Sequence, residues 1–63
     1  MYKLFKSHSN AEHKLDIVIT KKEATDMMIL DESNDFDYIF SKAIEYKRVL
    51  EMMEQDVTIK LRF

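Results

Sequence analysis

The chain has 63 residues, contains no Gly, Pro, Cys or Trp, and carries a formal net charge of -2, with 35% charged residues. Without Gly it cannot form a phosphate-binding loop or a dinucleotide-binding fingerprint. Without Cys it has neither a disulfide nor a thiolate ligand for zinc. A domain of about 60 residues buries only about 60% of the surface of its unfolded chain. The length therefore predicts a single domain, 1–63, that depends on dense packing or self-association for stability.

The first predicted elements are two strands joined by a polar loop. Apolar and other residues alternate in Tyr2 to Lys6 and in Lys14 to Thr20, as they do in half-buried strands. Val18 interrupts the polar side of the second strand, which indicates that this side is also partly covered. The loop between the strands is centred on Asn10, the residue that best accepts a left-handed turn where Gly is missing. A hairpin is therefore predicted.

Residues 21–32 are ambiguous between helix and strand. Thr20 and Glu23 have the spacing of a capping box, and the residues that follow are mostly good helix formers. The alternative is a strand over residues 25–31 paired with residues 14–20, but its turn would lack a residue that favours positive φ. The pattern favours a short helix, and the strand stays open as the alternative.

The longest predicted element is an amphipathic helix from about Asp35 to Gln55, in which apolar residues recur at spacings of three and four. Asn34 or Ser33 can cap this helix. A last strand follows over residues 57–63, where apolar residues alternate strictly with Thr, Lys and Arg. The apolar face of this strand consists of Val57, Ile59, Leu61 and Phe63.

Together these elements predict an α+β fold. Its sheet is small, three-stranded and mostly antiparallel, the chain order is β-β-α-α-β, and one short and one long helix pack on one face. With the last strand beside the first, the spatial order is 2-1-3. The other face would stay open and expose Val18 with one set from Tyr2, Leu4 and Phe5. Because this face is apolar, we expect it to join two copies in a homodimer.

The sequence shows no pattern typical of an enzyme, a metal site or a cofactor site. Four residues have the spacing that begins a calcium-binding loop, namely Asp31, Ser33, Asp35 and Asp37. Phe36 stands where that loop needs Gly, and Lys42 stands where it needs Glu. His8 and His13 have no third ligand at a suitable spacing. We therefore expect a protein without catalytic activity and without a cofactor or metal.

The apolar stretches of the chain are short, and the longest cover four residues, such as Met27 to Leu30. A signal peptide or a membrane span needs a longer apolar stretch. Because cysteine is also absent, we predict a cytosolic protein with no membrane partner.

Acidic residues are concentrated in the middle of the chain. Residues 1–22 carry five lysines and two acids, whereas residues 23–37 carry six acids and no base. Such a block produces a field that attracts a basic patch and steers association. This predicts binding to a protein that presents basic residues.

Two methionine pairs add an adaptable apolar surface. Met28 and Met52 each have a methionine neighbour, and a small core cannot bury both members of such a pair. We therefore predict a small protein-binding module, an inhibitor or modulator of a partner protein, that acts through an acidic surface. The predicted partner-binding residues are Glu23, Asp26, Met28, Asp31, Glu32, Asp35, Asp37, Tyr38 and Met52.

Residues 14–53 also resemble the ribbon-helix-helix repressors in the order strand, helix, helix. The run Lys-Leu-Asp-Ile-Val-Ile-Thr20 stands where that family has its strand, and Phe40-Ser-Lys-Ala-Ile-Glu-Tyr46 resembles a run of its second helix. The resemblance implies a DNA-binding repressor whose paired strands enter the major groove, and this is the alternative function. Asn34-Asp-Phe-Asp37, at the start of that helix, would repel a phosphate, and the basic stripe of a nucleic-acid-binding protein is missing. The sequence therefore favours the protein partner over nucleic acid.

Overall fold

The computed structural model describes all residues from Met1 to Phe63. The elements in chain order are β1 (Tyr2–Lys6), β2 (Lys14–Thr20), β3 (Met28–Ser33), α1 (Phe36–Met52) and β4 (Asp56–Arg62). The strands form one sheet in the order β3-β1-β2-β4. β1 is antiparallel to both β2 and β3, while β4 is parallel to β2. The fold is therefore α+β, with one helix and a mixed four-stranded sheet.

The hydrophobic core lies between the sheet and α1. It contains seven buried side chains: Leu4, Leu15, Ile17, Ile19, Ile39, Ala43 and Val57. The three from β2 alternate along the strand as predicted, because successive side chains of a strand point to opposite faces. Ile39 and Ala43 are one helical turn apart, and both are completely buried.

The predicted short helix over residues 21–32 is wrong, and with it the sheet of three strands under two helices. Thr20 Oγ1 accepts a hydrogen bond from the N–H of Lys22 at 3.1 Å, which is a local turn and not a helix cap. Glu23, the other residue of the predicted capping box, forms an ion pair with Lys3. The chain then forms β3, which pairs with β1 and not, as in the alternative strand, with β2.

The last strand also lies elsewhere than predicted. The order 2-1-3 placed it beside the first strand, but β3 occupies that position. β4 instead pairs with the free edge of β2, from Lys14 opposite Asp56 to Thr20 opposite Arg62. The strand itself is confirmed, and its neighbour is corrected.

The second face of the sheet is covered and not open as expected. Phe5 and Val18 lie opposite each other in β1 and β2, and they are only 2% and 1% exposed. Val18 and Thr20 line a concavity together with residues of the segment 22–27. The partial covering predicted for Val18 is confirmed, whereas the open apolar face predicted as the dimer surface is absent.

Asn10 organises the β1–β2 loop through its side chain. Its Oδ1 accepts hydrogen bonds from the N–H groups of Glu12 and Lys14, and the predicted hairpin is present. The left-handed residue of the loop is His13, with φ of 59°, and not Asn10. A second left-handed residue, Glu54, follows α1 with φ of 64°. In a chain without Gly, ordinary residues take these positions at a cost of about 1 kcal/mol each.

α1 is the predicted long helix, and it ends earlier than expected. Its N-cap is Asp35, whereas Asn34 or Ser33 was predicted. Asp35 Oδ1 accepts hydrogen bonds from the N–H of Asp37 at 3.0 Å and from the N–H of Tyr38 at 3.4 Å. One predicted partner-binding acid is therefore engaged in starting the helix.

Candidate binding groove

A groove of about 260 Å³ lies between β3 and one side of α1. Its lining consists of Asp31 from β3 and of Tyr38, Lys42, Glu45, Tyr46 and Val49 from α1. Tyr38, Lys42 and Tyr46 follow one another at intervals of four residues, so they form a row along one side of the helix. The groove therefore combines charged groups with aromatic and aliphatic surface.

A bulge in β3 positions the residues next to this groove. Leu4 of β1 lies opposite Asp31, but the next residue, Phe5, lies opposite Ile29, so Leu30 is an extra residue in the pairing. Leu30 packs against the core, while Asp31 lines the groove. Because of the bulge, the consecutive residues Leu30 and Asp31 both lie on the side of the sheet that faces α1, one against the core and one in the groove.

The Tyr38 hydroxyl connects the helix to β3. It donates a hydrogen bond to Asp31 Oδ2 at 2.8 Å, and Asp31 Oδ1 accepts one from the N–H of Glu32 at 2.8 Å. The hydrogen bond to Asp31 raises the pKa of Tyr38, because ionisation would remove the donor and place a phenolate beside a carboxylate. Tyr38 therefore stays a neutral donor at physiological pH.

A second polar contact lies one turn along the helix. Lys42 Nζ is 3.3 Å from Glu45 Oε2 and 5.7 Å from the centroid of the Tyr38 ring. The hydrogen bond to Glu45 raises the pKa of Lys42 because it favours the charged ammonium. Lys42 contacts one oxygen of Glu45, and the carboxylate retains further acceptor positions.

The predicted partner-binding residues lie in different parts of the structure. Asp31 and Tyr38 meet in the groove. Glu32 follows Asp31 in β3, and Asp35 and Asp37 lie at the start of α1, where Asp35 caps the helix. These three acids are close to Asp31 and Tyr38 in the chain, but they do not line the groove.

The remaining predicted residues lie away from the groove. Glu23 and Asp26 line the concavity on the second face of the sheet, and Glu23 is paired with Lys3. Met28 begins β3 and is 51% exposed, while Met52 ends α1 and is 85% exposed. The acidic block of the sequence is therefore not one continuous surface in the structure.

Four groove residues were not predicted as binding residues, namely Lys42, Glu45, Tyr46 and Val49. Their distances in sequence from Tyr38 are those of neighbours on one side of a helix. That spacing is the signal that could have identified them.

The arrangement that the repressor resemblance implies is absent. β2 lies inside the sheet between β1 and β4, and its side chains on both faces are buried, as Ile17 and Val18 illustrate. The first of the two helices is replaced by β3. The strand that would read DNA bases is therefore a core strand here.

α1 is too short and too polar to cross a bilayer. His, Asp and Glu side chains do not come together in groups of three or more that could hold a metal ion. Comparison of the chain with protein families, with curated proteins and with solved structures finds no significant match.

Proposed function

We propose that the protein binds a partner protein at the groove between β3 and α1, where it accepts a basic side chain next to an apolar one. The observation that carries this proposal is the groove itself, which places the carboxylates of Asp31 and Glu45 beside exposed aromatic and aliphatic surface. Tyr38 is 43% exposed and Val49 is 55% exposed. Tyrosine and arginine are enriched at protein interfaces, where rigid aromatic surface and charged hydrogen bonds combine.

The charges around the groove favour a cationic ligand group. Lys42 is the one basic residue of its lining, and it is already paired with Glu45. Asp31 is followed closely in the chain by Glu32, Asp35 and Asp37, with no basic residue among the positions 31–37. An incoming arginine or lysine would meet a negative field and could replace Lys42 as the hydrogen-bond donor to Glu45.

The apolar part of the groove supplies the rest of the contact. The ring of Tyr38 is held by its hydroxyl on Asp31, so its orientation is fixed before a partner arrives. Preorganised aromatic surface loses little conformational entropy on binding. We therefore expect a short motif with one basic and one apolar anchor.

A peptide library displayed on phage and selected against the immobilised protein tests this proposal. Recovered sequences should be enriched in arginine or lysine beside an aromatic or aliphatic residue. Fluorescence anisotropy then measures the affinity of one recovered peptide. The double variant Asp31→Asn with Glu45→Gln should weaken that peptide about tenfold or more, since charged hydrogen bonds are lost, and added salt should also weaken it.

The matched control removes the same number of charges elsewhere. Glu12→Gln with Asp26→Asn alters one acid in the β1–β2 loop and one on the second face. This control should bind the peptide as the unmodified protein does. Failure to select any basic motif, or an equal loss of binding in both double variants, would refute the groove as the binding site.

A further inference from the structure

The two edges of the sheet differ in character. β3 forms one edge, and its bulge at Leu30 interrupts the regular spacing of the backbone groups, which hinders pairing with a further strand. β4 forms the other edge and pairs with β2 over its whole length without a register shift. The outer edge of β4 is therefore the one suited to accept another strand.

Every second residue of β4 directs its backbone N–H and C=O groups away from the sheet. The N–H of Asp56 donates to the carbonyl of His13 at 2.7 Å, so Asp56 faces β2. The ladder repeats every two residues, and the other even-numbered residues of β4 therefore also face β2. The outward groups belong to Val57, Ile59 and Leu61.

Exposed apolar side chains accompany this edge on the side of α1. Leu61 is 52% exposed and Phe63 is 60% exposed, although strand alternation places them with the buried Val57. The ring of Phe36 lies 6.1 Å from that of Phe63 and 5.8 Å from that of Phe40, which is 38% exposed.

We propose that β4 pairs antiparallel with β4 of a second copy of the chain, about a two-fold axis next to Ile59. In this register Ile59 lies opposite its own counterpart and Val57 lies opposite Leu61, so the outward groups of all three residues are paired. The two sheets become one sheet of eight strands with both helices on the same face. On the face of the helices, the exposed Leu61 of each copy lies opposite Val57 of the other. The symmetry closes the assembly as a dimer.

The charges on the opposite face select this register. Asp56 of each copy lies opposite Arg62 of the other, in a pair whose side chains approach closely. A shift of the pairing by two residues in one direction would place Lys60 opposite the Lys60 of the second copy. A shift in the other direction would place Leu61 opposite Gln55, whose N–H is already bonded within the chain.

The dimer interface and the binding groove lie at opposite edges of the sheet. The groove borders β3, whereas the interface uses β4. The dimer therefore does not depend on the groove, and it leaves one groove free at each end of the joined sheet. Failure of either proposal would leave the other intact.

A charge exchange followed by sedimentation equilibrium tests the dimer. The unmodified protein should approach twice the 7.6 kDa of one chain as its concentration rises. Asp56→Arg and Arg62→Asp should each raise the dimer dissociation constant about tenfold, because each replaces two ion pairs by two like-charge pairs. The double exchange should return the dissociation constant to that of the unmodified protein. The two positions are about 20 Å apart within one strand, so opposite charges at them can pair only between copies.

Amide hydrogen exchange on the unmodified protein gives a second test that needs no variant. Protection of Val57, Ile59 and Leu61 should increase with protein concentration, while the even-numbered residues of β4 stay protected throughout. Leu61→Pro removes one outward N–H and leaves the bonds to β2, so it should give a folded monomer. Leu61→Ala keeps the N–H and is the control that should retain pairing of the strands.

Three results would overturn the dimer. The first is a monomer at millimolar concentration with the outward amides unprotected. The second is a double charge exchange that fails to restore association. The third is growth beyond the dimer, which would indicate open pairing of β4 with β3 of the next copy.

Discussion

Replacement of Asp35 separates a role in the helix from a role in binding. Its Oδ1 accepts hydrogen bonds from two backbone N–H groups at the start of α1, where the helix itself offers no partner. Ala at this position removes both the acceptor and the negative charge. Asn keeps an acceptor and removes the charge alone. The difference between the two variants is therefore the contribution of the cap.

The hydrogen-bond lengths set the expected magnitude. The bond to the N–H of Asp37 is 3.0 Å and ordinary, whereas the bond to the N–H of Tyr38 is 3.4 Å and long. The cap is then worth about 1 kcal/mol, and the charge near the helix N-terminus adds about 0.5 kcal/mol. We expect Asp35→Ala to lower the free energy of unfolding by about 1.5 kcal/mol and Asp35→Asn by about 0.5 kcal/mol.

Urea unfolding followed by circular dichroism measures both changes. The matched control is Asp37→Asn, which removes an acid of the first turn that caps nothing and should cost about 0.5 kcal/mol. For a domain of this size, the loss in Asp35→Ala corresponds to a fall in Tm of about 6 to 12 °C. Equal losses in Asp35→Ala, Asp35→Asn and Asp37→Asn would refute the cap, because only the charge would then matter.

Two further predictions concern the core and the groove. Ile39→Ala removes a completely buried side chain and should lower the free energy of unfolding by about 2 to 5 kcal/mol. Met52 is 85% exposed, so Met52→Ala should change the free energy of unfolding by less than about 0.5 kcal/mol in the same urea experiment. Ultraviolet titration, with Tyr38→Phe as the reference, should show a raised pKa for Tyr38 that returns toward its ordinary value in Asp31→Asn. Because the folded pKa is raised, the stabilisation from this hydrogen bond is fully present below about pH 10 and is lost as the pH rises through the folded pKa. A Tyr38 pKa that is unchanged by Asp31→Asn would contradict the assigned cause.

The elements with a regular period were predictable from the sequence. Apolar residues recur at every second position of β2 and β4 and at every third or fourth position of α1, because one face of each element packs against the core. β3 has no such signal. Its bulge at Leu30 breaks the alternation, and its apolar and acidic residues follow one another as in a helix. A local pattern also cannot show that β4 lies beside β2, because that choice depends on which edge β3 leaves free.

The groove was predictable in part. Asp31 and Tyr38 were both in the predicted set because the acidic block and an exposed aromatic are visible in the sequence. The sequence shows charge but not the face on which it lies, so Glu23 and Asp26 were joined to the same surface although the turn after β2 carries them to the other side of the sheet. Burial of that face by a segment without regular structure has no periodic signal.

The parallel pairing of β2 with β4 shapes how the chain folds as it is synthesised. β1 and β2 form a hairpin and can pair as soon as both have left the ribosome. The other edge of β2 has no partner until residues 56–62 appear, after β3 and α1. During that interval a strand of buried β-branched residues presents an open edge to other nascent chains. Closing this distant pair is a slow step for a small domain, and its speed decides how long the chain is exposed to aggregation.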